Sequence, residues 1–422
     1  MTHTDLKARI AVWIDAHREA QQALLATLVR CPSDNPPGDC APHGELAARE
    51  MEALGFTVER HRVPDEVVAR HGMQSVINVV VRERFGPGPT VALNAHGDVV
   101  PAGGGWSTDP YGAEVREGWM YGRGAAVSKS DFATYAYALR ALKDCGAPLA
   151  GTVELHFTYD EETGGLTGPG WLLAEGITRP DFAVCASFSH HVTIAHNGCL
   201  HLEVKVLGKS AHAARPDTGH DALEAAMHIL ADLYAHRATL AQRRSNVTGI
   251  ETPTLVVGLI DGGINTNVVP DEVTFRLDRR IIPEEQPDAV EAELCALIEA
   301  SAATLAGIRT EITRILLARP FMPVPGAERL AEIFCREASA VMGEVVPTNG
   351  VPLYADARLY VEAGVPTIMY GAGPRSLLEA NGHRADERVP LDTLPLASKV
   401  VANALIELLE SEPNRGRQFP WT

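Results

Sequence analysis

The chain has no run of the roughly eighteen consecutive apolar residues that a membrane-spanning helix needs, so no span is expected. It has no block of five or more basic residues, and its 37 Lys and Arg are outnumbered by 54 Asp and Glu for a net charge of -17. A surface that tracks phosphates has nothing to build on, which excludes nucleic acid as the expected partner. No cysteine pair has CxxC spacing. The seven cysteines (31, 40, 145, 185, 199, 295 and 335) are an odd number in mostly apolar contexts, the pattern of reduced thiols in a cytoplasm rather than of a disulfide framework. The opening tract, MTHTDLKARIAVWIDAHREAQQALLATLV, lacks a cationic start followed by an unbroken apolar core, so it reads as a surface helix and not as an export signal. There is no internal repeat and no low-complexity tract. What is present is a 422-residue chain with 45% hydrophobic content, enough for a large core and for two domains or one domain with an insertion.

Alternation organises the first part. Val91 to Asn94 reads as the end of a buried strand, Lys129 to Lys143 has helical periodicity, and Thr152 to Tyr159 reads as a second strand that stops at an acidic cluster. Strands alternating with helices predict an α/β sheet covered by helices, with ligand sites beyond the carboxyl ends of its strands. From about residue 193 the order becomes strand (201–207), helix (221–236), two strands, helix (286–305) and strand, the pattern of a split βαβ, ferredoxin-like module. The Pro-rich run ARPFMPVPGAE then reads as a link back. The predicted organisation is a catalytic α/β domain with a central mixed sheet, residues 1–192 and 318–422, interrupted by an inserted domain at 193–317.

The polar motifs fall at the strand ends. In ALNAHGDVVP, His96 and Asp98 are two apart just past a strand, so that His96 can bind a metal while Asp98 fixes its tautomer through the other ring nitrogen. In DEETGG, adjacent carboxylates can divide the work, with Glu162 on the metal and Glu161 free to take a proton from water. His383 in NGHRADERVPL offers a third donor, and His212 in GKSAHAARPDTG is flanked by small residues that leave its imidazole accessible.

Together these tracts, with YGRGAAVSK, NTNVVPD, LDRR and ADAR, resemble the superfamily of acetylornithine deacetylase, succinyl-diaminopimelate desuccinylase, aminoacylase and carboxypeptidase G, in order and spacing from about residue 20 to residue 410. The resemblance implies a catalytic domain with an inserted ferredoxin-like lid that often dimerises, hence a homodimer or higher homo-oligomer. It implies His96, Glu162 and His383 as metal ligands, Glu161 as general base, Asp98 as the acid behind His96, and His212 as a lid histidine that stabilises an oxyanion. Asn267, Arg280 and Arg358 match positions near bound substrate, which points to a small molecule carrying a carboxylate.

Two positions depart from the family. Where it usually has a carboxylate bridging two metals this chain has Val127, and where it has another carboxylate ligand the alignment places Ser187. Loss of two carboxylates along with one divalent ion leaves the net charge of the site unchanged, and a His/His/Glu set with an open position serves catalysis in single-metal hydrolases. The expected cofactor is therefore one divalent transition metal (Mn, Zn, Fe or Co), weakly held by three protein ligands. With one ion fewer to polarise the substrate, an activated substrate is expected; a resemblance to aminohydrolases within this superfamily implies an aromatic amino acid such as 5-nitroanthranilate, hydrolysed to 5-nitrosalicylate and ammonia by metal-activated water with Glu161 as base. Two alternatives stand beside this. One is an amidase, deacylase or dipeptidase acting on N-acyl amino acids or dipeptides, in which His190, His191 or Asp131 replaces a lost ligand; the other is a non-catalytic, ligand-binding homologue.

Overall fold

The structure, a computed structural model, describes residues 2–410. The described residues divide into two compact units: 2–194, 323–348 and 359–410, and 195–322 with 349–358. The chain crosses between the units after residues 194, 322, 348 and 358.

In the first unit, six strands lie side by side in the spatial order Val58–Arg62, Ile77–Arg84, Thr152–Thr158, Thr90–His96, Phe182–Cys185 and Thr367–Met369. The first two pairings are antiparallel; Thr90–His96 runs parallel to both its neighbours, with His96 opposite Thr158. That register sends the residues after His96 and after Thr158 out of the same end of the sheet, the end where α/β folds place ligands. The central strands are buried on both faces, which explains why VALNAH and VELHFT read as nearly continuous apolar runs instead of alternating.

One covering helix, Lys129–Asp144, is buried along most of its length beneath Thr393–Leu408. Its Phe132 stacks on Phe157 of the sheet at 4.0 Å between ring centroids, so Phe132→Ala would remove about 3–5 kcal/mol of packing. The N-terminal tract is two helices, His3–Ala16 and Arg18–Val29, not one; the first is capped by Thr2 and Asp5 in a reciprocal capping box. Its Leu6, Ile10 and Ile14 join the core with Leu25 and Leu28 of the second.

The second unit is a four-stranded antiparallel sheet in the spatial order Thr254–Gly262, Glu272–Ile281, Gly198–Leu207, Arg309–Ala318. Helices Ala222–Thr239 and Pro287–Ala303 connect its strands, which makes it ferredoxin-like. Strand alternation places Leu200, Leu202, Val204 and Val206 in one core with Ile229 and Leu294 of the helices. All seven cysteines are unpaired. Among the described residues, no helix is long and apolar enough to cross a membrane.

Candidate active site

His96 ends one central strand and Glu161 and Glu162 follow its parallel neighbour, so the sheet brings two distant tracts to one place. The His96 Nε2 lies 3.8 Å from a Glu161 carboxylate oxygen. His96, Glu161 and Glu162 each present one donor atom within 4.8 Å of the others, a separation that a metal ion can bridge. The third predicted ligand, His383, meets this group through Glu162, with Nε2 3.2 Å from its carboxylate. In this arrangement Glu161, assigned from sequence as the base, is as close to His96 as a ligand would be.

Asp98 contacts both His96 and, unforeseen from the sequence, the turn that carries the two glutamates. Its carboxylate is fully buried 3.4 Å from His96 Nδ1, which lies 3.0 Å from the Asp98 carbonyl. It also accepts the backbone N–H groups of Glu161 at 3.3 Å and Glu162 at 3.2 Å, and the Asn35 amide at 2.9 Å. One carboxylate therefore sets the histidine and fixes the turn that carries both glutamates. Burial alone would raise Asp98, but His96 beside it, together with these donors, holds it below the usual carboxylate range. For His96, burial favours the neutral ring, yet the carboxylates of Glu161, Asp98 and Glu162 outweigh it and hold the imidazole well above its ordinary value. The pocket is built to hold positive charge.

Backbone strain accompanies the glutamates and His383. Asp160, just before the short 3-10 turn Glu161–Thr163, has φ 122, a region that costs a non-glycine residue about 1–3 kcal/mol. Its carboxylate offsets this by accepting the N–H groups of Thr167 and Gly168. His383 is left-handed at φ 61, between Asn381 at 50 and Asp386 at 59, three of the residue types that tolerate this conformation best.

Val127 is partly buried against the core, and its N–H and that of Ala126 donate to Glu387 at 3.2 Å each. Glu387 is itself buried and paired with Arg123 at 2.6 Å. Burial pushes Glu387 above its ordinary range, with Arg123 opposing. The next residue, Ser128, brackets His96, accepting its backbone N–H at 3.0 Å and donating to its carbonyl at 3.1 Å. The Ser187 hydroxyl pairs with Thr193 at 3.3 Å.

Two of the three proposed replacement ligands, His190 and Asp131, are engaged elsewhere. His190 pairs with Glu344 at 2.8 Å, and Glu344 also holds Arg375. Asp131 accepts the Ala372 N–H at 2.7 Å, and burial pushes its carboxyl well above the usual range, toward the neutral acid. Among the described residues, none of His190, His191 and Asp131 stands in a group of three metal donors with His96.

The remaining predicted residues belong to the second unit. A two-stranded pairing sets His212 across from Val268, and the Ala213 N–H donates to the Asn267 carbonyl at 3.0 Å; His212 and Asn267 are both exposed. The His212 Nδ1 accepts the Ala214 N–H at 3.1 Å. Arg280 forms two 3.0 Å bonds to Asp278, and Arg358 is buried. Sequence reasoning missed Asn35, Arg123, Ser128 and Glu387. Of these Arg123, Ser128 and Glu387 sat within quoted motifs and only Asn35 outside them, and nothing in those motifs separates a carboxylate that binds backbone from one that binds metal.

Residues 92–407 match the sequence profile of Peptidase family M20/M25/M40. The chain is 29% identical over 390 residues to a succinyl-diaminopimelate desuccinylase of Rhodospirillum centenum, covering 88% of this chain and 93% of that protein. Its fold is similar to that of the dipeptidase Dug1p of Saccharomyces cerevisiae (TM-score 0.78, 15% identity, 98% of this chain and 100% of that one). It is also similar to a Bacillus subtilis protein described as a dinuclear metal-binding peptidase of the M20 family (TM-score 0.66, 17% identity, 94% and 99%).

Proposed function

The chain belongs to peptidase family M20/M25/M40 and is a metal-dependent hydrolase; from that premise we propose that it cleaves a C–N bond with a single divalent ion, and that its substrate is an aromatic amino acid activated by an electron-withdrawing group, such as 5-nitroanthranilate. One observation carries this reading. The loop that should supply a bridging carboxylate instead supplies the backbone N–H of Val127 to Glu387, and none of the three replacement ligands joins His96. The donors left are His96, Glu161, Glu162 and His383, enough for one cation.

A divalent ion held there would supply Lewis acidity, lowering the pKa of a water and drawing electron density from the substrate. The ion would be Mn, Zn, Fe or Co, and with Glu161 serving as the base rather than as a ligand it would be held weakly, by His96, Glu162 and His383. Glu161 takes the proton from the attacking water as the C–O bond forms at the ring carbon bearing the amine. The charge that develops passes into the nitro group. Glu161 then returns the proton to nitrogen, the C–N bond breaks, and ammonia leaves: arylamine and water become phenol and ammonia. Asp98 keeps His96 and the glutamate turn in place throughout. His212 and an arginine such as Arg280 or Arg358 are proposed for the task of holding negative charge on substrate.

Ammonia release from 2-amino-5-nitrobenzoate, matched one for one by the phenol, is the expected result. Turnover of N-acyl amino acids or dipeptides with no ammonia from aminonitrobenzoates would overturn this substrate and favour a deacylase or dipeptidase, the reading supported by the similarity to a desuccinylase. Ion number is tested separately by electron paramagnetic resonance of the Mn²⁺-loaded protein. An isolated-ion hyperfine pattern is expected; the pattern of an exchange-coupled pair would rule out the one-ion site. Seven unpaired cysteines fit a reducing cytoplasm. Exposed Val256, Leu259 and Ile260 on the edge strand Thr254–Gly262 fit a homo-oligomer contact, which sedimentation can check.

A further inference from the structure

A second group of metal donors lies in the ferredoxin-like unit. Cys199 and His201 are two apart on the strand Gly198–Leu207 and so face the same side, opposite to Leu200 and Leu202 in the core. On the neighbouring strand, register sets Asp278 across from His201 and Arg280 across from Cys199. The Cys199 Sγ is 3.2 Å from the His201 Nε2, which is 3.1 Å from one Asp278 oxygen; the other Asp278 oxygen is 3.8 Å from Sγ. With bonds of about 2.3 Å to sulfur and about 2.0–2.2 Å to nitrogen and oxygen, neighbouring donors around a tetrahedral zinc stand roughly 3.3–3.6 Å apart. The Cys199–His201 and His201–Asp278 donor separations already stand near that spacing without an ion, and the three side chains each present one donor atom within 4.8 Å of the others. Among the described residues, Cys199 is the only one of the seven cysteines in such a group.

We propose that Cys199, His201 and Asp278 form a second metal site, specific for a zinc-class ion (Zn²⁺ or Co²⁺) rather than Mn²⁺ or Mg²⁺. The selectivity follows from the donors, because a thiolate with an imidazole favours softer ions, whereas the His96 group offers only imidazole and carboxylate. Access is from the solvent side: His201 and Asp278 are 33% and 30% exposed, while Cys199 is covered. Burial pushes the Cys199 thiol up to about 12, so without metal it is a poor nucleophile and a poor target for oxidants. Arg280 neutralises Asp278 through both oxygens and lies over the Tyr354 ring, 5.6 Å from its centroid. An ion on the oxygen nearest His201 replaces the Arg280 Nη2 bond there and leaves the Nε bond to the other oxygen. The net step exchanges the thiol proton for the metal, with the proton released to solvent.

Cobalt titration of the full-length protein tests this, because only thiolate ligation gives an intense sulfur-to-cobalt charge-transfer band in the near ultraviolet. The band is expected in the native protein and in His96→Ala, where the first site is lost, and it should bleach as Zn²⁺ is added. Cys199→Ser should abolish it, and Asp278→Asn, which keeps the thiol and the fold, should weaken Co²⁺ binding at least about tenfold. Absence of the band in the native protein, or its persistence in Cys199→Ser, overturns the proposal. The reading of the His96 site is untouched by either result, since that site holds no sulfur.

Discussion

The two donor groups of this molecule are assembled in opposite ways. Around His96, every ligand sits on a loop or a strand end, and buried carboxylates hold the surrounding backbone: Asp98 binds the N–H groups of Glu161 and Glu162, Asp160 those of Thr167 and Gly168, Glu387 those of Ala126 and Val127, and Asp131 that of Ala372. Around Cys199, strand register alone places the side chains, and the backbone N–H groups belong to the sheet ladder. An acidic motif therefore has two kinds of member. Some carboxylates face the chemistry, and others replace the ladder that a loop lacks, which is how a buried N–H far from any sheet partner is satisfied.

The largest effect expected from breaking this contrast is on turnover. Glu161→Gln removes the proton acceptor while keeping the shape of the turn, and activity should fall about 10²–10⁴-fold. Thermal stability should stay close to native, since the Asp98 bond to this residue uses its backbone. Near-native turnover would remove Glu161 from the role of base. Next comes Glu387→Gln, which leaves the buried Arg123 guanidinium without its counter-charge. A loss of about 3–5 kcal/mol in chemical denaturation is expected, with activity lost through unfolding rather than chemistry. Asp98→Asn is smaller. It keeps the size of the side chain but not its charge, and metal affinity at the His96 site should weaken about 10–100-fold, read by Mn²⁺ titration.

How much of this was legible in sequence follows the same division. The β–α alternation, the ferredoxin-like order and the strand-end positions of His96 and Glu161 were readable because burial imposes periodicity and register imposes spacing. The pairing of His96 with Asp98 was readable because both sit on one short tract. The tasks of Glu387 and Asp131 were not. Glu387 acts on backbone some 260 positions earlier, through N–H groups that no residue type marks, and Asp131 sits in a helix whose pattern says only that it is covered. The Cys199 group was missed for a different reason: Cys199, His201 and Asp278 come from two strands that pair across some seventy-nine residues, and alternation within HLEVKVL announces a strand face without saying what lies across from it.

The smallest prediction concerns that second group. If strand register alone positions it, removing a side chain from the exposed face should cost little stability, because no backbone group depends on that side chain. His201→Gln exchanges a one-third-exposed imidazole for a side chain that can still donate to Asp278, and Arg280 continues to neutralise that carboxylate. Unfolding free energy should shift by no more than about 0.5 kcal/mol, the range of surface substitutions away from caps and buried networks, while zinc-class binding falls. A loss of several kcal/mol would mean that the His201–Asp278 contact carries the fold of this sheet, and the contrast between a site held by carboxylates and a site held by register would fail at its simpler end.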